Sequence, residues 1–552
     1  QIDFSVGAVE RILGLIDLDP LSPTHGCAHL AYWRDKTSEL ADMRRQEVML
    51  ALALLYSRPY PGSPYQGDAR LLAATQALLT FWCRNHYPDG SLDEWYKGER
   101  AFAAAAFGTF AVARTLEVLA GRLDPALEQE GRRALALTAG WLKTRDDLFK
   151  TNHEAVGVGA LAFAGRILGD VSLEAEARRK MAKVLAAQRP DGWFPEVGHL
   201  DVGYAFLTVE YLAMAMDLWG DWREAPALAS ALDFACGLVH PDLAVGEEYG
   251  ICHNPYLSLS ALALCSGFHG QAAWLRQRLD QAPRPGVKVA STLGDDLRLL
   301  RNAWQPLLAH DYWQKTAGQP LAAPQPIPLA DPGLPLTLRP GSGLARWSCG
   351  GGTALLVSQA GGLLRLFSLP GGPILGDLGY ALRLEGGYAS NLTYDPGLAL
   401  SQEGDCLSVE CGLAPVRKMM PSFIQRLLLR LLCTSALGSR LTRQGIDWVR
   451  RKKGTALNQS SSNLKAGDSP YSLSRRVCLE PQAVLVEDVL TFGKPVGAQD
   501  VFLLESLAGR GNSLRPLAEL APEVSGNLSR LTLRKRYRHD QGWALAELEA
   551  RA

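Results

Sequence analysis

Apolar residues recur at helical spacing in seven stretches of the first 310 or so positions: 69–84, 100–120, 133–143, 152–168, 173–188, 204–218 and 225–239. Gly121, Gly169, Gly220 and Gly270 each close a stretch and lie 48, 51 and 50 residues apart. A Pro-Asp-Gly turn at 88–90 returns at 190–192, close to two of these periods later. A period near 50 fits one helical hairpin with its loops. Several such hairpins can curl into an (α/α) toroid, with inner-helix ends and loops lining a cleft. An open superhelix is the alternative.

Near Gln314–Gly343 the pattern gives way to Pro, Leu and Gly, the signature of a linker or domain edge. Short apolar runs broken by glycine follow: TALLVSQAGG, LLRLFSLPGG, CLSVEC, AVLVEDVLTFG, DVFLLESLAG and RLTLRKRY. They read as antiparallel strands. The expected fold is therefore multidomain, α and β: a toroid of helical hairpins over 1–315, a Pro-rich linker over 316–343 and an antiparallel β-sandwich over 344–552. One segment interrupts the sandwich. Residues 417–453 hold ten basic residues and a single acid, Asp447. FIQRLLLRLLCTSAL within it has the pattern of an amphipathic helix. It reads as a helix packed on the sandwich with a solvated basic face, or as a contact for a membrane surface or an anionic polymer.

At 552 residues the chain exceeds one ordinary core and calls for two or more domains. The 57 basic and 57 acidic residues balance, which argues against wholesale nucleic-acid binding. Ten cysteines form no C-x-x-C pair and no His/Cys ligand cluster, so neither a metal nor a cofactor is expected. Cys406 and Cys411 are the one close pair. Most others fall in apolar helical stretches, which reads as reduced thiols and favours the cytoplasm. A periplasmic or secreted location is the alternative if an N-terminal signal has been removed. No uninterrupted run of 18 apolar residues suggests a membrane span.

The candidate chemistry sits at helix–loop junctions. The stretch from Thr151 opens with Asn-His-Glu and continues in small residues. Thr151 and Glu154 have the spacing of a capping box. That leaves Asn152 and His153 unexplained. The loop at 87–100 collects Asp93, Glu94, Trp95, Tyr96 and Glu99. The stretch at 191–213 places Trp193, Phe194, Glu196, His199, Asp201 and Tyr204 at or before a helix start. The stretch at 246–259 adds Glu248, Tyr249, His253 and Asn254. Aromatic rings beside carboxylates and amides suit a sugar, whose apolar face stacks on the rings while its hydroxyls find the polar groups. The bland alternative is that the aromatics plug the helical array.

The stretches LDPLSPTHGCAHLAYW, QEVMLALALLY, DGSLDEWYKGERAFAAAAF, NHEAVGVGALAFAGRILGD, DGWFPEVGHLDVGYAFLTVEYLA and EEYG resemble a bacterial branch of the heparinase II/III-like family over nearly the whole chain. That resemblance implies a toroid joined to a β-sandwich and a polysaccharide lyase that cleaves uronic-acid-containing chains by β-elimination. It implies that Asn152 binds the uronate carboxylate, His153 serves as neutraliser or base, and Tyr204 is base or acid. Glu248 and His253 are further candidates. Substrate contacts are expected from Glu94, Trp95, Tyr96, Glu99, Trp193, Glu196, Asp201, Glu248, Tyr249 and Asn254, and an acidic polysaccharide is the expected partner. An Arg expected shortly after Glu248-Tyr249-Gly250 is absent. Ile251, Cys252, His253 and Asn254 stand there, so His253 is its candidate substitute.

A glycoside hydrolase on an acidic glycan is the alternative enzyme, with its two carboxylates drawn from Asp93, Glu94, Glu99, Glu196 and Asp201. QRPDGW at 188–193 resembles a turn of terpene cyclases, but neither DxDD nor DDxxD occurs. The non-enzyme alternative is a polysaccharide-binding protein with a degenerate lyase site.

Overall fold

The computed structural model describes residues 2–147, 150–196, 198–252, 254–281, 295–371, 374–395, 397–416, 422–453, 469–507, 512–539 and 542–552. The first 315 residues are helical. Twelve helices carry the architecture: α1 (Val48–Ser57), α2 (Ala69–Arg84), α3 (Phe102–Val118), α4 (Pro125–Lys143), α5 (Thr151–Leu168), α6 (Val171–Ala186), α7 (Val202–Trp219), α8 (Ala225–Cys236), α9 (Leu259–Cys265), α10 (Gly270–Gln281), α11 (Asp296–Asn302) and α12 (Gln305–Lys315). Helix α4 starts well before its apolar stripe does. Asp124 caps it, accepting from Ala126 N and Leu127 N at 3.0 Å, and Pro125 takes the first helical position.

Packing alternates along the chain. Helices α1, α3, α5, α7, α9 and α12 each pack on the next, and α12 returns to α1. Helices α1, α3, α5, α7 and α9 are buried on nearly every side, as all-round apolar helices must be. The intervening α2, α4, α6, α8 and α10 cover them. Small residues set the spacing. A Cβ on Gly159 would meet the Tyr211 ring of α7 at 2.8 Å. Phe110, Phe163, Tyr211 and Trp304 fill the middle, with Phe110 4.9–5.5 Å from each of the other three ring centres. Gly169 and Gly220 end α5 and α7 in the left-handed conformation. Gly270 differs from its expected place: it opens α10 instead of closing a helix.

The remainder forms two antiparallel sheets. The first runs β1 (Thr337–Arg339), β2 (Leu344–Cys349), β3 (Gly352–Val357), β4 (Leu363–Ser368), β5 (Ile374–Leu384), β12 (Val501–Leu507) and β13 (Asn512–Pro516), with β6 (Gly387–Ser390) on β5 and β9 (Ala414–Val416) on β6. The second runs β15 (Trp543–Arg551), β14 (Asn527–His539), β11 (Ala483–Gly497), β10 (Tyr471–Glu480), β8 (Cys406–Gly412) and β7 (Ser401–Glu403). Their facing sides share apolar cores such as Trp347, Leu356 and Leu364 against Val477, Val484 and Trp543. The six runs read as strands become β3, β4, β8, β11, β12 and β14. The segment read as a linker contributes β1 and buries Ile327 and Leu329.

The helical core continues into the first sheet, taking in Leu355, Val357 and Phe367. Glu248 pairs with Arg365 of β4, and Arg346 Nη1 donates to Gly237 O at 2.9 Å. Between β9 and β10 lie two further helices, α13 (Phe423–Leu432) and α14 (Ala436–Lys453). Cys406 and Cys478 form a disulfide across β8 and β10, so the expectation of wholly reduced thiols fails at this pair. The adjacent strands bring Cys406 opposite Cys478, whereas Cys411 stays free and buried. Among the described residues no helix is long and apolar enough to cross a membrane.

Candidate active site

Helix α5 begins without a local cap. Lys150 precedes it and makes no side-chain capping bond. The expected Thr151–Glu154 box does not form. The Thr151 hydroxyl donates to Pro195 O at 2.5 Å, and Glu154 is drawn to Lys180 at 3.1 Å and Lys183 at 3.2 Å. Glu196, from the loop before α7, does the capping. Its Oε1 accepts Asn152 N at 2.7 Å and its Oε2 accepts Asn152 Nδ2 at 2.5 Å. Both residues are only 1% exposed. Burial pushes the Glu196 carboxyl well above its usual range, against the bonds from Asn152 that favour the anion. Asn152 Oδ1 is buried with no partner.

His153 follows on the same turn. Its Nδ1 lies 2.7 Å from Asp147 Oδ2, an arrangement that fixes the tautomer and directs Nε2 to other work. Burial and Lys150 lower the His153 pKa, while Asp147 and Glu94 raise it; the net shift is downward. The ring stands edge-on to Phe107. Tyr204 lies in the first turn of α7, half-buried, its N–H donating to Asp201 Oδ1 at 3.0 Å. Burial raises its pKa, helped by Cys252, Asp201 and Glu196, while Arg44 lowers it.

Arg44 is the cation that the sequence did not reveal. It comes from the short turn Met43–Glu47, stacks 3.6 Å from the Phe107 ring centre, and pairs with Glu47 at 2.7 Å and Glu94 at 3.8 Å. Arg301 of α11 joins it, reaching Glu94 at 3.0 Å and Asp42 at 2.8 Å. Arg301 also lies 5.6 Å from the ring of Trp95, which is 67% exposed. His153, Glu94 and Trp95 are thus linked through Phe107, Arg44 and Arg301, while Asn152 and Glu196 bond one another at the start of the same helix as His153. The loop between β6 and β7 brings Tyr394 against the 199–200 segment: its ring lies beside His199, and its hydroxyl accepts Leu200 N at 3.3 Å and donates to Gln359 at 2.6 Å.

The other candidates have structural partners. Glu99 accepts from Trp95 N at 2.7 Å and Glu94 N at 3.2 Å and folds the 93–99 loop; burial pushes its carboxyl up to about 7. Half-buried Tyr96 lies in the same loop and accepts from Glu99 N. Asp201 caps α7 and accepts Cys252 N at 3.0 Å, tying the 250–254 segment down; burial raises it to about 6. Asn254 packs against Gly203, where no Cβ would fit. Tyr249 is fully buried and bonded to His240 Nε2 at 2.7 Å. Trp193 is buried beside Arg189. Glu248 is held by Arg365 of β4. His253 lies outside the described residues. Among the described residues no group of His, Cys, Asp and Glu could hold a metal ion.

No protein-family model matches this sequence, and none of the curated proteins does. Solved structures do match. The chondroitin AC lyase of Streptomyces coelicolor A3, in complex with chondroitin sulphate, superposes with a TM-score of 0.57 at 11% identity, covering 100% of this chain and 78% of that one. The chain has a polysaccharide-lyase fold. A point mutant of that lyase gives 0.55 at 12% identity over the same shares. Heparinase III gives 0.48 at 12% identity over 90% of this chain and 70% of that one, too loose a likeness to argue from. A lyase fold says nothing of turnover by itself. The chemistry must come from the residues.

Proposed function

We propose that this protein is a polysaccharide lyase that cleaves a uronic-acid-containing acidic glycan by β-elimination, on an (α/α) toroid joined to a β-sandwich. The returning circuit of α1, α3, α5, α7, α9 and α12 supports the toroid. The observation that supports the chemistry is the Asp147 carboxylate on His153 Nδ1 at 2.7 Å, with burial keeping the imidazole neutral and, at Tyr204, keeping the phenol protonated against the charge of Arg44. Elimination needs three things. The uronate carboxylate must be neutralised so that C5 becomes acidic. A base must take the C5 proton while the C4–O4 bond breaks and the C4–C5 double bond forms. An acid must protonate O4 as it leaves.

Neutral His153 suits the base, since Asp147 stabilises the imidazolium that forms. The Tyr204 phenol suits the acid, since Arg44 stabilises the phenolate left behind. Asn152 and Glu196 suit the carboxylate. With Glu196 protonated, the Asn152 amide turned over accepts the carboxyl proton through Oδ1 and presents Nδ2 to the uronate. Exposed Trp95 with Arg301 beside it supplies a ring for the sugar face and a charge for its anionic groups.

A hydrolase needs two carboxylates facing the scissile bond. The candidates are already engaged: Asp93 by the Tyr87 hydroxyl and two backbone N–H groups, Glu99 and Asp201 by backbone N–H groups, Glu94 by two arginines, and Glu196 by the backbone and side-chain amides of Asn152. The near-complete burial of Asn152 favours a second reading, glycan binding without turnover. An ultraviolet assay for unsaturated uronate over a panel of acidic glycans separates the two. Signal lost in Tyr204→Phe and His153→Ala supports the lyase. Binding with no signal on any glycan supports the second reading. The Cys406–Cys478 disulfide favours a periplasmic or secreted site of action over the cytoplasm. Thiol titration of protein denatured under acid, from the native host, tests that.

A further inference from the structure

We propose that the α13–α14 hairpin docks the protein on an anionic lipid bilayer. Phe423, Ile424, Leu427, Leu428, Leu431 and Leu432 repeat at the helical period and form one stripe along α13, each 44–78% exposed. On α14, Leu437, Leu441 and Trp448 are also exposed. Large apolar side chains left in water along two consecutive helices are costly and mark a surface that is meant to be covered. The hairpin's own attachments to the helical half are polar: Arg430 pairs with Glu39 at 2.7 Å, and Ser439 Oγ lies 3.3 Å from Lys97 O.

The charge decides the occupant. Arg426, Arg440 and Arg443 accompany the apolar stripe, and the sequence of α14 ends Arg450, Arg451, Lys452 and Lys453 against Asp447. A soluble polyanion would answer the arginines and leave the leucines in water. A second copy of the chain would answer the leucines and crowd like charges together. A bilayer with anionic headgroups answers both, with acyl chains for the stripe and phosphates for the arginines. Ser439 touches the backbone of the 93–99 loop, so docking would also hold Trp95 and its neighbours close to the membrane surface. The proposal does not depend on turnover at that site.

Co-sedimentation of the intact protein with vesicles tests it. Binding is expected to mixed phosphatidylglycerol–phosphatidylcholine vesicles, weakening with salt, and to be at least ~10-fold weaker on phosphatidylcholine alone. Leu427→Ser with Leu431→Ser keeps every charge and is expected to lower binding about 10-fold or more. Arg440→Gln with Arg443→Gln is expected to weaken binding to the anionic vesicles alone. Leu427, Leu431 and Arg440 are exposed and Arg443 is half-buried, so an unchanged melting temperature shows that the fold survives. Equal binding to neutral vesicles would overturn the proposal. So would indifference to the serine pair, leucine-dependent dimerisation in light scattering without vesicle binding, or retention on heparin alone that ignores the serine pair.

Discussion

Arg44 sits over the face of Phe107, its guanidinium carbon 3.6 Å from the ring centre, and from there it opposes the burial that raises the Tyr204 pKa. The stacking matters because a buried guanidinium with few positions open to it delivers its charge to one place. Arg44→Met removes the charge while keeping much of the contact with the ring. The phenolate left after proton donation then has no nearby cation. We expect kcat to fall roughly 10²-fold with KM little changed, since the charge is needed only as the phenolate forms. An unchanged kcat would remove Arg44 from that role.

The Asp147–His153 contact makes a separate prediction. Asp147 raises the His153 pKa against the burial that lowers it. In Asp147→Asn the imidazole is expected to titrate lower still and to lose its fixed tautomer. Nitrogen chemical shifts of the His153 ring read both changes without any substrate. Activity on a productive glycan is expected to drop about 10²-fold or more, with the acid limb shifted down. Ring shifts identical to the wild type would show that Asp147 does not hold this ring.

How much of this was legible in the sequence depends on where each partner came from. Asn152, His153 and Tyr204 stand out as candidates in the sequence because each is a polar residue at the start of a strongly apolar helix, where such a residue needs a reason. Glu196 reads from the sequence as a sugar contact or a hydrolase carboxylate and not as a cap, because a sequence shows local caps and the true cap of α5 lies 44 residues away. The same blindness produced the Thr151–Glu154 box. Arg44 and Arg301 come from short polar segments that look like ordinary solvated surface, so only tertiary packing exposes them. The succession of helices was legible through its period, and Gly270 shows the limit of that signal: glycine usually follows a helix, and this one opens one. The Cys406–Cys478 pair follows strand register, which residue spacing does not encode.

Glu196 and Asn152 give a prediction about stability. Glu196→Gln keeps the shape and one acceptor and removes the titration. Glu196→Ala leaves Asn152 N and Nδ2 buried without partners, at a cost of about 1–3 kcal/mol for each unmet group. Chemical denaturation at one pH should therefore rank the wild type and Gln variant close together and the Ala variant well below. Near-equal Gln and Ala variants would mean that water or another group reaches the start of α5.

The helical half should lose stability as pH rises through neutrality. Burial raises Glu47 to about 7, Glu99 to about 7, Asp201 to about 6 and Glu210 to about 7. A carboxyl with a raised folded pKa contributes stability that is full below its unfolded pKa and is lost as pH rises through the folded one. Glu210 is the cleanest case. It is fully buried, with Oε2 bonded to the Tyr256 hydroxyl at 2.6 Å and Oε1 without a partner. Its contribution is on the order of 3 kcal/mol between pH 4.5 and 7. Below about pH 6.5 the buried histidines of this half, such as His86 and His240, act in the opposite sense, because burial lowers them. The melting temperature is therefore expected to fall between about pH 6.5 and pH 8, and Glu210→Gln is expected to flatten that slope. A slope unchanged by the substitution would place the titration elsewhere.

Between the two sheets the sign is reversed. Arg475, Lys535, Asp377 and Asp488 are buried together: Arg475 reaches Asp377 at 2.8 Å and Asp488 at 2.9 Å, and Lys535 reaches Asp377 at 2.5 Å and Asp488 at 2.7 Å. Tyr380 donates to Asp488 Oδ2 at 2.7 Å and Tyr537 to Asp377 Oδ2 at 2.8 Å, the same oxygens that Lys535 reaches. Two cations against two anions leave the cluster neutral, and the cations hold both carboxyls below their usual range despite burial. Its stability is therefore present above the unfolded pKa and lost as pH falls through the folded values, so it does not vary between pH 5 and 8. Lys535→Met leaves two buried carboxylates sharing one arginine and is expected to cost about 3–5 kcal/mol. Adding Asp488→Asn restores neutrality, so the double variant should be more stable than the two single losses sum to. Additive losses in that cycle would show that Lys535 and Asp488 do not act on one another, and the neutral-cluster account would fall.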